Sequence, residues 1–200
     1  MSVATLQPPQ VRPPRLRPKS ERLLTAADLD FLPTNINGND VKYELYDGEL
    51  VIMAPPGGEH GRRQHRIGRV LEIAEDLGLG VAFSEAGIVL GEGPDTLVAA
   101  DAAFVFKASL PVKYTREGYL ATIPEFVVEV KSKNDSVLEI LSKCQRYFEA
   151  GVKVVWQIDP KKKTVLLAHA DGREELLGIN ETLTCELLPG FSAAVATIFA

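Results

Sequence analysis

Asp101, Glu129 and Lys131 stand where charges are costly. Glu129 and Lys131 end the run Phe126-Val127-Val128-Glu129-Val130-Lys131, whose apolar character predicts a buried strand. Two residues apart on a strand, they point to one face, about 6.6–7 Å apart along the backbone. Val128 and Val130 point to the other. Asp101 lies in the middle of a second apolar run, Thr96–Phe106, also predicted as one strand. A carboxylate there is either at a bend open to water or held by a cation. Glu129 and Lys131 have a plainer reading too, as an ordinary ion pair where the strand runs out into solvent.

If the two strands pair, two carboxylates and one ammonium converge. Asp101, Glu129 and the main-chain carbonyl of Val130 would then form a hard oxygen site suited to Mg²⁺ or Mn²⁺. Such an ion polarises a phosphoryl oxygen and lowers the pKa of bound water. Lys131 could orient that water and offset charge in the transition state. The chemistry implied is hydrolysis of a phosphodiester bond.

The elements that must position these residues follow from periodicity and turn signals. Thr25-Ala-Ala-Asp28 reads as a capping box opening a short helix that ends before Pro33. Thr34–Asp40 reads as a loop. Asp47-Gly48 between two alternating runs, over Val41–Met53, predicts a β-hairpin that Pro55-Pro56-Gly57-Gly58 ends. Residues 59–77 carry Ile67, Val70, Leu71, Ile73, Ala74 and Leu77 at helical spacing. The same helix carries Arg62, Arg63, His65, Arg66 and Arg69, either a solvated face or a place for phosphates. Short strands are expected at 79–83 and 87–90. Residues 108–122, with Tyr114, Arg116 and Tyr119, are a connection or a substrate-facing loop.

A second helix is predicted over 136–150, with Val137, Leu138, Ile140, Leu141, Cys144, Tyr147 and Phe148 as its buried face, Lys143 and Arg146 away from most of it, and Gly151 as its stop. Strands follow at 152–158 and 161–169, with 174–177 pairing back and 182–188 and 191–199 closing the chain. The order of strands and helices indicates an α/β or α+β fold, a mixed central sheet flanked by helices.

Composition narrows the class. Two hundred residues, 46% of them hydrophobic, suit one domain with a tail: a proline- and arginine-rich arm at 1–20 and a domain at 21–200. The arm carries Arg12, Arg15, Arg17 and Lys19 and no acid. Against a net charge of −5, the remainder holds 18 basic and 27 acidic residues. An acidic body needs local basic patches or metal ions to approach phosphates. The arm could supply such contacts or be a solvated tail.

Cys144 and Cys185 match no zinc spacing and fit a reducing cytoplasm as two buried or half-buried thiols. No run approaches the ~18 apolar residues of a membrane span. Gly78-Leu79-Gly80 lacks the third glycine of a dinucleotide fingerprint, and HExxH is absent.

Asp101…Glu129-Val130-Lys131 resembles the PD-(D/E)XK signature of restriction-endonuclease-like nucleases. From about Thr25 to Phe199 the chain resembles the bacterial Uma-two family of restriction-endonuclease-like proteins. The matching pieces run in order: Tyr43–Leu50; Ala54-Pro55-Pro56 with Glu59-His60; Asp101–Val105; Pro124–Ser132; Lys143, Tyr147 and Ala150-Gly151-Val152; Trp156–Pro160; and Leu188-Pro189-Gly190-Phe191. Ala100 replaces the proline usual before the aspartate, a change of backbone shape rather than chemistry.

The resemblance implies a nuclease core, DNA as substrate and a homo-oligomer (a dimer); the lack of a long apolar run implies no membrane. It assigns metal binding to Asp101 and Glu129 and the lysine role to Lys131, and it places Glu49 and His60 near the site. The expectation is a metal-dependent endonuclease. The alternatives are a catalytically inactive nucleic-acid- or protein-binding module on a nuclease fold, or a scaffold in which Glu129 and Lys131 are a structural pair.

Overall fold

The computed structural model describes residues 22–53, 57–111, 118–132 and 135–200. The expected arm at 1–20, the Pro55-Pro56 end of the hairpin, and Tyr114 and Arg116 lie outside the described residues.

The first element of the described residues is a 3-10 helix, Ala26–Phe31, opened by the Thr25–Asp28 capping box that the sequence predicts. The segment read as a loop instead holds two short paired strands, β1 (Asn35–Ile36) and β2 (Asn39–Asp40). Asn37 and Gly38 join them, both at positive φ, the geometry of a tight hairpin turn. The predicted hairpin follows as β3 (Lys42–Tyr46) and β4 (Glu49–Met53). Asp47 and Gly48 both have positive φ, and a side chain on Gly48 would strike Leu23.

Helix α1 (Gly58–Asp76) leads to β5 (Gly80–Ser84), β6 (Gly87–Gly91), β7 (Thr96–Ala99), β8 (Ala102–Phe106) and β9 (Phe126–Val130). Helix α2 (Val137–Ala150) crosses to β10 (Val154–Asp159). The chain ends with β11 (Thr164–His169), β12 (Glu174–Gly178), β13 (Thr182–Thr184), β14 (Ser192–Ala194) and helix α3 (Val195–Phe199). The helix at 195–199 occupies part of a run read from sequence only as closing the chain.

Six strands form the central sheet in the order β12-β11-β10-β9-β8-β5. It is mixed: β9 and β10 run parallel, joined by the α2 crossover, and the other neighbours are antiparallel. A second sheet, β4-β3-β7-β6, stands beside it. The single strand expected at Thr96–Phe106 is therefore two. Its halves β7 and β8 belong to different sheets, and the chain bends between them at Ala100-Asp101. Both halves are buried, so the apolar run continues through the bend and hides it from a reading by hydrophobicity.

Alternation on β9 divides the core. Phe126, Val128 and Val130 pack with Trp156 and Ile158 against Ile67, Val70, Leu71 and Ala74 of α1 and Ile198 of α3. Val127 faces the other way, with Ala103 and Val155, towards Cys144 and Tyr147 of α2. Ile73 and Leu77, expected in the α1 face, are partly exposed.

Helix α2 is capped by Ser136 and Glu139 and stopped by Gly151 at φ 110°. Its expected apolar face is corrected: Val137, Leu138 and Leu141 are 64%, 79% and 53% exposed, while Cys144 and Tyr147 are buried. The helix meets the sheet only with its later turns, so its first turn stands clear of the core. Among the described residues no helix is long and apolar enough to cross a membrane.

Candidate active site

The bend between β7 and β8 delivers Asp101 to the end of β9. Its carboxylate receives three donors. Asp101 Oδ2 accepts from the backbone N–H of Val130 at 2.6 Å. Asp101 Oδ1 lies 2.9 Å from His60 Nε2 and accepts from Gln64 Nε2 at 2.6 Å. His60 and Gln64 are four apart on α1, hence on one helix face. The bend, one alternative for Asp101, is observed, but the carboxylate faces protein donors more than water, with 14% of its side chain exposed.

Burial opposes ionisation of Asp101, yet the His60 bond and charge and the Val130 amide together hold its pKa below the usual carboxylate value. The same hydrogen bond to Asp101, against the cost of burial, holds His60 above its usual value.

Glu129 is next to Val130 on β9 but points to the α2 face. Its partner is Lys143, not Lys131. Lys143 Nζ lies 3.2 Å from Glu129 Oε2 and 3.1 Å from Glu129 Oε1, and Tyr147 donates its hydroxyl to Glu129 Oε1 at 2.5 Å. Burial raises Glu129 to a pKa of about 7 in spite of the lysine. Lys143 in turn bonds Glu44 Oε1 at 3.3 Å and the carbonyl of Ala99 at 3.0 Å. Burial pulls its pKa down, but Glu129, Tyr147 and Glu44 outweigh that and leave it well above the ordinary lysine value. Glu44 is 3% exposed and also accepts from the Ala99 amide at 2.9 Å and from the Tyr46 hydroxyl at 2.7 Å.

The expectation that Lys143 lies away from most of the buried face is thus overturned. Four residues before Tyr147, it shares that residue's side of the helix. Glu44, Gln64, Lys143 and Tyr147 had no assigned role from sequence. The readable signals were the four-residue spacings His60–Gln64 and Lys143–Tyr147, together with the placement of Lys143 and Tyr147 among the family-like pieces.

Asp101 meets His60 and the Val130 amide, while Glu129 is the neighbour of Val130 on β9 with its carboxylate on Lys143 and Tyr147. Lys131 lies just past the strand, 34% exposed, with Nζ 3.9 Å from Asp159 Oδ2. Glu49 is exposed at the start of β4, beside the hairpin turn, where it faces Tyr46 across the ladder. It is Glu44 of the facing strand that reaches the cluster. At about 100° per residue, Arg62, His65, Arg66 and Arg69 fall on the side of α1 opposite His60 and Gln64. Arg63 turns inward to the Ile198 carbonyl and Phe199.

The donor set can be tested against a hard cation. Among the described residues, no three His, Cys, Asp or Glu side chains form a metal cage. Two carboxylates and a carbonyl are nonetheless enough for Mg²⁺, which keeps waters and takes phosphate oxygens as further ligands. A carboxylate has about four lone-pair positions, and three donors leave one on Asp101 Oδ2. The N–H and C=O of a strand residue leave the same edge. The Val130 amide reaches Asp101, whereas the next amide, of Lys131, turns to Ile158 on β10. The Val130 carbonyl therefore leaves β9 on the Asp101 side. Asp101 Oδ2 and the Val130 carbonyl thus offer hard oxygens of the kind such an ion takes.

Fold and sequence comparisons agree on the class. A crystal structure described as that of a putative nuclease belonging to DUF820, from Anabaena variabilis, superposes with a TM-score of 0.70 over 88% of this chain and 97% of that one, at 17% identity. The architecture is that nuclease-like, mixed α/β fold. The model of the Uma2 family, described as "Putative restriction endonuclease", matches residues 26–196. The chain belongs to the Uma2 family. Curated proteins offer no match.

Proposed function

We propose that this chain is a Mg²⁺- or Mn²⁺-dependent endonuclease that hydrolyses phosphodiester bonds of DNA. The observation that supports it most is the hydrogen bond from the Val130 amide to Asp101, which holds the Asp101 carboxylate at the end of β9, one residue from Glu129. The family and the solved neighbour support a nuclease in general terms.

Asp101, Glu129 and the Val130 carbonyl are the residues that would hold the ion. Bound there, such an ion would polarise a phosphoryl oxygen and would make water a stronger nucleophile near neutral pH. The protein's own groups do the rest. His60 and Gln64 fix the Asp101 carboxylate from one side while the Val130 amide fixes it from the other. Tyr147 and Lys143 fix Glu129. Lys131, at the strand end and partly exposed, places an ammonium where a phosphate can reach it and offsets developing negative charge.

Residues 21–200 act as the nuclease domain behind the arm at 1–20, in the cytoplasm. The working unit is a homodimer, which would offer one site to each strand of a duplex. Light scattering on the purified protein checks that assembly.

The test of the reaction is nicking of supercoiled plasmid with Mn²⁺ or Mg²⁺ by wild type, Glu129→Gln and Lys131→Met. Metal-dependent nicking lost in both variants supports the reading. Salt-sensitive duplex binding with no nicking by wild type would move the chain to the alternative, a binding module on a nuclease fold.

A further inference from the structure

An ammonium has three N–H donors. Those of Lys143 meet acceptors from three separate strands: Glu44 of β3, the Ala99 carbonyl of β7 and Glu129 of β9. Two carboxylates and a main-chain carbonyl are the donor set of a divalent-cation site, and here a protein cation fills it. The spacing is that of an ammonium. Its oxygens lie 3.0–3.3 Å away, whereas Mg²⁺ draws oxygens to about 2.0–2.1 Å and Ca²⁺ to about 2.3–2.6 Å. The cage is also built from its far side. The Ala99 amide and Tyr46 hydroxyl orient Glu44, and the Tyr147 hydroxyl orients Glu129. Phosphodiester cleavage often uses two cations about 3.5–4 Å apart. Glu129 would touch both positions in this site, serving the ion on the Asp101 side and the ammonium on the α2 side.

We infer that Lys143 holds the place of a second cation, so that each chain takes one divalent ion, and that the vacated cage of Glu44, Glu129 and the Ala99 carbonyl binds another. Lys143 is a positioning residue: it acts through Glu129 and touches no substrate. The inference rests on the metal reading of Asp101 and Glu129, and the experiment separates the two.

Mn²⁺ is titrated by calorimetry into wild type, Lys143→Ala and Lys143→Met, with circular dichroism confirming the fold of each. The expected result is one ion per chain for wild type, two for Lys143→Ala, and no second ion for Lys143→Met, whose uncharged stem still fills the cage. One ion in Lys143→Ala, or a second ion in Lys143→Met, overturns the inference and leaves Lys143 as a peg between the two sheets. Two ions in wild type also overturn it, and that count decides the matter should Lys143→Ala fail to fold. No ion in wild type overturns the metal reading itself, and this inference with it.

Discussion

Replacing Asp101 by asparagine separates the charge of this residue from its shape. In the wild type both oxygens face donors: the Val130 amide on Oδ2, His60 and Gln64 on Oδ1. Asparagine can keep its oxygen on Val130 and turn its amide towards α1. Gln64 can answer by presenting its own oxygen, and neutral His60 by presenting Nε2 as acceptor. The variant should therefore fold, losing mainly the charge-assisted part of the cluster. Hydrogen bonds to charged groups are worth about 1.5–3 kcal/mol. At about 2–4 °C per kcal/mol for a chain of this size, Tm should fall by about 3–12 °C.

The loss depends on pH in a defined way. Asp101 has a lowered pKa, so its stabilisation is present above its ordinary value of 3.8 and is lost as pH falls through the lower folded value. His60 has a raised pKa, so its share is fully present below its ordinary value of 6.5 and is lost as pH rises through the higher folded value. The gap between wild type and Asp101→Asn should be widest between those two values and should narrow on either side. Thermal melts in chelator across that range measure the gap, and the proton resonances of His60 measure its pKa, which should drop in the variant. An unchanged His60 titration would refute the pairing on which this reasoning stands.

Glu44→Ala leaves the Lys143 ammonium and the Ala99 amide short of a buried partner, and should cost about 3–5 kcal/mol in urea unfolding, as breaking buried pairs does. Gly80→Ala would put a methyl 2.2 Å from the Val105 carbonyl and 2.7 Å from the Phe104 ring. Strain of that kind should lower stability by about 1–3 kcal/mol, read as a lower urea midpoint with unchanged m. Burial holds Glu129 at a pKa of about 7, so an arriving divalent ion must displace its proton. Mn²⁺ affinity should rise as pH increases through about 7 and level off above, whereas an ordinary surface carboxylate would give a flat profile there.

Much of this was legible in the sequence where local chemistry dictates local structure. The Asp47-Gly48 turn, the Thr25–Asp28 cap and the Gly151 stop act within a few residues, and each sits where its chemistry requires. Asp101 and Glu129 were legible because a charge in an apolar run has few places to go. The unread part lies in contacts made across the fold. Glu44 sits on the polar side of an alternating strand, and only the docking of β3 and β7 against α2 buries it. Lys143 lies on the flank of the α2 face and looks solvated until Glu44 and Glu129 arrive from two sheets. The split of Thr96–Phe106 leaves no hydrophobic mark because a strand buried in either sheet reads the same. Glu49, next to the turn, shared a family-like piece with Glu44, and sequence alone did not say which of the two faces inward.

The proposed role of Asp101 and Glu129 is to hold a divalent ion for phosphodiester hydrolysis. The most direct measurement is a Mn²⁺ titration of wild type and Asp101→Ala by calorimetry, with plasmid nicking assayed on the same samples. Wild type should bind and nick, and a folded Asp101→Ala should lose both. Equal Mn²⁺ binding by the two proteins would contradict that role.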